Sequence, residues 1–420
     1  MDKLIIHGGN PLHGEVQISG AKNAAQPLMT AALLAPGTSS FANIPNLRDI
    51  DTMLALLKHL GVTVSRENGT LHLSADNIRA DDAPYDLVRT MRASVLVMGP
   101  LVGRLRHAKV SLPGGCAIGA RPINLHLKAL EQMGCTITLH DGYVEVDGTH
   151  LQGAHVVFDG VTVTGTENIM MAAVLAPGTT ILDHAAREPE VVDLANFLTR
   201  MGANIKGAGT DRIEIQGVAS LTPASYEVMP DRIEAGTFMI AAAITSGDIT
   251  LRSCPIDALT LFTAKLREAG AIIDIDANKV RVRGPRRSKA VSITTAPQPG
   301  FATDLQAQFM ALMTIAEGTS TITETIFENR FMHVPELHRL GANITIDGSL
   351  AIVRGIPQLT GAPVMATDLR ASASLVLAGL AAHGTTELRR IYHLDRGYEA
   401  MEQKLKRLGA NIERVRDKPS

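Results

Sequence analysis

One punctuation mark recurs six times along the 420 residues: Leu60-Gly61-Val62, Met133-Gly134-Cys135, Met201-Gly202-Ala203, Ala269-Gly270-Ala271, Leu340-Gly341-Ala342 and Leu408-Gly409-Ala410. The glycines stand about 70 residues apart, so a single unit used six times accounts for nearly the whole chain. Each repeat reads alike. An Ala/Leu/Met-rich helix comes first, apolar almost all round and therefore predicted to be buried, as in Asn168 to Leu175 or Ala371 to Ala382. A Gly turn, a β-branched strand and a loop follow. A second, amphipathic helix then ends at the glycine, with Ile50, Met53, Leu54, Leu57 and Leu60 on one face in the first repeat. Two short strands, such as Ile213-Glu214-Ile215, close the unit.

Open solenoids use shorter repeats, of about 20–50 residues, so closed groups of three are expected, and a chain of this length needs more than one core in any case. Trp is absent and aromatics are 3% of the chain, which leaves Ala, Leu, Ile, Val and Met to fill those cores. The last repeat ends at Ile412-Glu413-Arg414-Val415 without its final strand, and Leu4-Ile5-Ile6-His7 matches the missing piece. The predicted architecture is α/β, with three repeats in residues 22–229 and three in residues 1–21 plus 230–420, and the chain crossing near 21 and returning near 230.

The formal charge is −2, which creates no field to draw in nucleic acid or an anionic membrane. No apolar run reaches the ~18 residues of a membrane span, and the N-terminus has no signal-peptide core. The three cysteines, Cys116, Cys135 and Cys254, are odd in number and lack C-x-x-C spacing, which points to a reducing, cytoplasmic setting. No H-E-x-x-H, phosphate-loop or strand-linked G-x-G-x-x-G motif occurs, so neither a metal nor a cofactor is expected.

Comparing repeats exposes a candidate site. The start of the buried helix carries Lys22-Asn23, Arg92, Glu167, Asp231-Arg232, Asp304 and Asp368 with Arg370. The loop before the second helix carries Arg48, Arg121, Arg187, Asp257, Arg330 and Arg396. Pseudo-symmetry puts equivalent positions at one end of each domain, where helix N-termini and guanidinium forks suit phosphate or carboxylate. The plainer reading is that the Asp residues are N-caps and the Arg residues surface ion pairs. In the second repeat this loop is Leu112-Pro113-Gly114-Gly115-Cys116-Ala117-Ile118-Gly119-Ala120-Arg121, with the glycine content of a mobile lid and a thiol at its centre. His126 and His333 lie nearby and read as structural; Cys135 and Cys254 read as packing residues; Arg286-Arg287-Ser288-Lys289 reads as a solvated hairpin tip.

At Ser19-Gly20-Ala21-Lys22-Asn23, Leu112 to Pro122, Pro230-Asp231-Arg232-Ile233-Glu234, Thr303-Asp304-Leu305-Gln306, Phe327-Glu328-Asn329-Arg330-Phe331 and Asp395-Arg396-Gly397, the chain resembles the UDP-N-acetylglucosamine 1-carboxyvinyltransferases, a family of enolpyruvyl transferases. The resemblance spans essentially the whole chain. It implies two inside-out α/β barrels joined by a double crossover, with the active site in the cleft between them. It also implies transfer of the enolpyruvyl group of phosphoenolpyruvate to the 3′-hydroxyl of UDP-N-acetylglucosamine, releasing phosphate, the first committed step of peptidoglycan synthesis. Cell-wall biogenesis, cell shape and division would depend on it. Lys22, Asn23, Arg121 and Arg396 match positions that hold phosphoenolpyruvate. Arg92, Arg121, Pro122, Ile123, Asn124, Leu125, Asp304 and Ile326 match contacts to the UDP-sugar. Cys116 matches the proton donor that fosfomycin alkylates, and Asp304 the candidate base, with Lys22 and Arg396 also catalytic. Some family members carry a Lys where this chain has Gly160, so of the nucleotide contact the resemblance implies for this segment only the backbone part carries over. Two rival readings are the sister 3-phosphoshikimate 1-carboxyvinyltransferase, which lacks the cysteine loop, and a non-catalytic UDP-sugar-binding regulator.

Overall fold

The computed structural model describes residues 2–89, 91–112, 123–277 and 279–416. The chain divides into two compact lobes. Among the described residues, the first comprises 20–112 and 123–229, and the second 2–19 together with 230–416. Each has its own apolar core.

All six glycines of the recurrent punctuation have φ between +89° and +106°. They follow the ends of the outer helices, where a left-handed residue lets the chain turn back and pair the last orphan carbonyls. The repeat is therefore written in the sequence by a backbone requirement, met by the one residue without a Cβ.

Each repeat builds one four-stranded sheet, three to a lobe. In the third repeat, His155–Val157 runs parallel to Thr179–Asp183, which pairs antiparallel with Arg212–Gln216, which pairs with Asn204–Lys206. The register sets Thr180 opposite Ile215 and Leu182 opposite Ile213, and all four face the core fully buried. In the sixth repeat the N-terminal strand Asp2–His7 occupies the inner hairpin position, between Thr385–Arg389 and Asn411–Arg416. Two further exchanges close the rings. His13–Gln17 adds in parallel to Asp248–Arg252 of the fourth repeat, and Ser225–Glu227 adds in parallel to Thr38–Ala42 of the first.

The first lobe places the helices Lys22–Ala31, Met98–Leu105 and Val163–Ala173 at its centre, and the second places Arg232–Ile244, Gln306–Met313 and Leu369–Ala381. Every residue of Arg232–Ile244 and Gln306–Met313 is buried, which explains their lack of a polar face. Helices lie inside and sheets outside, as in an inside-out barrel. Close approach is paid for with glycine: a Cβ on Gly99 would fall 2.1 Å from the carbonyl oxygen of Asn168 on the neighbouring helix. The third-repeat helix starts at Val163, a turn before the expected Asn168, because the Thr162 hydroxyl caps it by accepting from the Gly165 N–H at 3.2 Å.

Arginines close the far, electronegative ends of these helices. Arg104 donates to Leu33 O at 2.9 Å, Arg106 to Leu175 O at 3.0 Å, and Arg287 to Ile315 O and Ala316 O, both at 3.1 Å. Arg287 is thus a helix cap, not merely part of a solvated hairpin tip. Among the described residues no helix is long and apolar enough to cross a membrane.

Candidate functional site

The N-terminal ends of the central helices carry the site candidates. In the first lobe, Lys22 is the first residue of Lys22–Ala31 and is buried, with its Nζ 3.2 Å from Asp49 Oδ2. Asp49 comes from the first turn of Arg48–His59, so this ion pair joins the two helices of one repeat. Asn23 is half-buried beside it. Arg92 opens the 3-10 segment Arg92–Val97 of the second repeat, and Gln26 Nε2 reaches Met91 Sδ at 2.9 Å, holding the starts of the first two repeats together. Ile123, Asn124 and Leu125 begin the helix Asn124–Gln132, with Asn124 exposed. Cys116, Arg121 and Pro122 lie outside the described residues.

Glu167 sits in the second turn of its helix rather than at its start, fully buried. Burial, reinforced by Glu190 and Glu188, pushes its carboxyl well above the usual carboxylate range, which favours its neutral form.

In the second lobe the three matched aspartates do different work. Asp231 Oδ1 accepts from the N–H groups of Ile233 and Glu234 at 2.7 and 3.1 Å, and Asp368 Oδ1 from those of Arg370 and Ala371 at 2.8 and 2.9 Å. Both are N-caps. Asp304 is not. Its Oδ1 accepts from Arg330 Nη2 at 3.0 Å and its Oδ2 from Arg370 Nε at 3.1 Å. Both arginines are buried, while the Asp304 side chain keeps 26% exposure. Burial works to lower the Arg370 pKa, but Asp304, Tyr398 and Asp231 together hold it above its ordinary value. The guanidinium also lies 5.3 Å from the Tyr398 ring centroid and reaches Gly397 O, next to Arg396, at 3.5 Å. Tyr398 is fixed by Thr237 and Gln308, each 2.9 Å from its hydroxyl.

Arg396 ends the short 3-10 segment Leu394–Arg396, whose Asp395 is clamped bidentately by Arg414 at 2.6 and 3.1 Å. Ile326 is positioned by Glu324, a buried carboxylate not anticipated in the sequence. Its Oε1 accepts from the N–H groups of Ile326 and Phe327 and from Thr295 Oγ1, and its Oε2 from Thr303 Oγ1, beside Asp304. The signal that could have found it is the Glu in Thr323-Glu324-Thr325-Ile326, a lone acid in a β-branched run. The matched loop arginines also diverge: Arg330 is buried against Asp304, whereas Arg187 makes an exposed pair with Asp211 at 2.8 Å.

Burial takes His126 and His333 down to about 4, so both are neutral structural histidines. It takes the Cys135 and Cys254 thiols up to about 11 and about 12, which leaves them inert at neutral pH. At Gly160 an added Cβ would meet nothing within 4 Å.

Residues 6–405 match the protein-family model described as EPSP synthase (3-phosphoshikimate 1-carboxyvinyltransferase). The chain is 61% identical over 416 residues to the UDP-N-acetylglucosamine 1-carboxyvinyltransferase of Trichlorobacter lovleyi, covering 99% of each chain. It is 60% identical to the protein of that name from Magnetococcus marinus, covering 99% of this chain and 100% of the other. Among solved structures, the enolpyruvyl transferase NikO from Streptomyces tendae superposes with a TM-score of 0.88 at 27% identity, covering 99% of both chains. EPSP synthase from Acinetobacter baumannii, at 20% identity and a TM-score of 0.78 over 99% of this chain and 100% of that one, shares the fold.

Proposed function

The chain belongs to the UDP-N-acetylglucosamine 1-carboxyvinyltransferase family, and from that premise we propose that it transfers the enolpyruvyl group of phosphoenolpyruvate to the 3′-hydroxyl of UDP-N-acetylglucosamine. The observation that carries the choice of acceptor is the match over essentially the full length of both chains to transferases named for it. The reaction is an addition followed by an elimination. The sugar hydroxyl adds to C2 of phosphoenolpyruvate as C3 takes a proton, giving a tetrahedral ketal. Loss of a C3 proton then expels phosphate.

Each residue has a place in that scheme. Lys22, Arg121 and Arg396 bind the phosphoenolpyruvate anion, and Asn23 stands beside Lys22 toward both substrates. Arg92, Arg121, Pro122, Ile123, Asn124, Leu125, Asp304 and Ile326 hold the UDP-sugar. Cys116 delivers the proton to C3; a thiol with a pKa near ~8.5 is largely protonated at neutral pH. Asp304 addresses the attacking hydroxyl. With both carboxylate oxygens already accepting from guanidinium groups, it is better suited to orient that hydroxyl than to keep its proton. Arg330 and Arg370 are positioning residues for it. Registering two substrates supplies ~7–11 kcal/mol of the barrier, and general acid–base steps typically ~10²–10⁴-fold each. The setting proposed is the cytoplasm, at the head of peptidoglycan synthesis.

The test is phosphate release from phosphoenolpyruvate with each acceptor. Release only with UDP-N-acetylglucosamine is expected. Equal release with shikimate 3-phosphate, or none with either acceptor, overturns the assignment.

A further inference from the structure

The side chain of Asn168 sits at the centre of the first lobe, 1% exposed, on the helix Val163–Ala173. Around it Ile169, Met170 and Met171 are apolar and fully buried, so a polar residue here carries a desolvation cost unless every group is paired. It is paired. Its Oδ1 accepts from the Gly99 N–H at 2.6 Å, and its Nδ2 donates to Val95 O at 2.9 Å and to His126 Nδ1 at 3.0 Å. A backbone N–H can only donate, so the oxygen must face Gly99 and the amino group must face His126. His126 Nδ1 is then an acceptor and the ring proton sits on Nε2, which lies 3.3 Å from Thr164 Oγ1. The imidazole is therefore held neutral in one tautomer. Burial, its one identified cause, takes its pKa down to about 4, in agreement.

This hub ties together three stretches distant in sequence. Val95 and Gly99 belong to the run that Arg92 opens. His126 directly follows Ile123, Asn124 and Leu125. Thr164 follows the Gly160 segment. We infer that Asn168, acting through His126, is a positioning residue for the UDP-sugar, setting Arg92, the Ile123–Leu125 stretch and the Gly160–Thr164 segment in mutual register. The inference rests on the acceptor assigned above. A purely structural hub would act on stability and on both substrates alike, whereas this one acts on the nucleotide.

Binding of UDP-N-acetylglucosamine to the free enzyme by titration calorimetry, with KM for phosphoenolpyruvate and thermal unfolding alongside, separates the two. In Asn168→Asp the carboxylate cannot donate to Val95 O or to neutral His126, and a proton taken up by the Asp–His pair restores the second bond. Affinity for UDP-N-acetylglucosamine is expected to fall about tenfold or more at about pH 8 and to recover toward about pH 6, the loss of a hydrogen bond or two. The unsubstituted enzyme should be flat over that range, and KM for phosphoenolpyruvate should stay within about twofold. Thr164→Val, at a half-buried position, deletes only the Nε2 partner and should weaken nucleotide binding about threefold or more, which keeps the test open if the Asp variant does not fold. Folded variants that bind the UDP-sugar like the parent, or that lose both substrates equally, overturn the inference. Failure of the parent enzyme itself to bind UDP-N-acetylglucosamine overturns the acceptor assignment and this inference with it.

Discussion

Arg370 and Asp304 meet through Nε and Oδ2 at 3.1 Å, although 66 residues separate them in the chain. The guanidinium is 2% exposed and the carboxylate 26%, so one partner is committed to the core and the other is presented outward from it. Arg330 holds the second oxygen. A carboxylate gripped on both oxygens has a fixed plane, which is what orienting a hydroxyl requires.

Asp304→Asn keeps the shape and removes the charge. Steady-state kinetics should show kcat lowered by about 10² or more. Asp304→Ala leaves two buried guanidiniums without this counter-charge. Denaturant unfolding should show a loss of about 3 kcal/mol, the low end for a broken buried pair because Asp304 retains contact with water. Arg370→Lys preserves the charge but not the fork, and should reduce kcat more than tenfold with a smaller change in stability. Wild-type kcat in either kinetic variant would contradict the positioning role.

Cys116→Ser should block alkylation by fosfomycin, read by intact-protein mass, and should impair turnover, because a serine hydroxyl is too weak an acid to replace the thiol. Cys116→Asp should retain turnover, since a carboxylic acid can also deliver a proton. Fosfomycin attached to the Ser variant would relocate the nucleophile.

Gly160→Lys should fold normally, because its Cβ meets nothing within 4 Å and no left-handed backbone is required there. The new ammonium should tighten UDP-N-acetylglucosamine several-fold, with a steeper salt dependence. Unchanged affinity at low salt would place this segment away from the diphosphate.

Asp193 gives a stability test. Burial raises its pKa to about 6, against the opposing hydrogen bonds from Tyr226 OH at 2.8 Å and the Met229 N–H at 3.3 Å. The folded carboxyl therefore binds its proton more tightly than the unfolded one. Its contribution to stability is present below the unfolded value, near ~3.9, and is lost as pH rises through about 6. Asp193→Asn removes this titration. Relative to the variant, the parent should lose melting temperature between about pH 4 and about pH 7, and a parallel pair of curves would refute the assignment.

The repeat, the helix and strand order and the exchange of the N-terminal strand were legible from the sequence because each rests on a local requirement: a left-handed glycine after a helix, an apolar run too long for one face, a hairpin lacking a strand. Lys22, Arg92 and Asp304 were legible as candidates because pseudo-symmetry repeats their positions. Their environments were not. Asp231, Asp304 and Asp368 occupy matched places, yet two cap their own helices and one turns to Arg330 of its own repeat and Arg370 of the next. Glu167 occupies a matched place too but is buried, its carboxyl raised by that burial, and one turn farther along.

Glu324 and Asn168 stayed unread for the same reason. Glu324 is held by Thr295 and Thr303, 29 and 21 residues back, as well as by its neighbours Ile326 and Phe327, and Asn168 is held by Val95, Gly99 and His126, the nearest 42 residues away. Backbone propensity and apolar periodicity act within a repeat, so the sequence alone determined the unit, its count and its ends. Hydrogen-bond partnership and desolvation depend on how distant stretches pack together, so only the tertiary structure decided which of six equivalent positions is a cap, a buried acid or a held carboxylate.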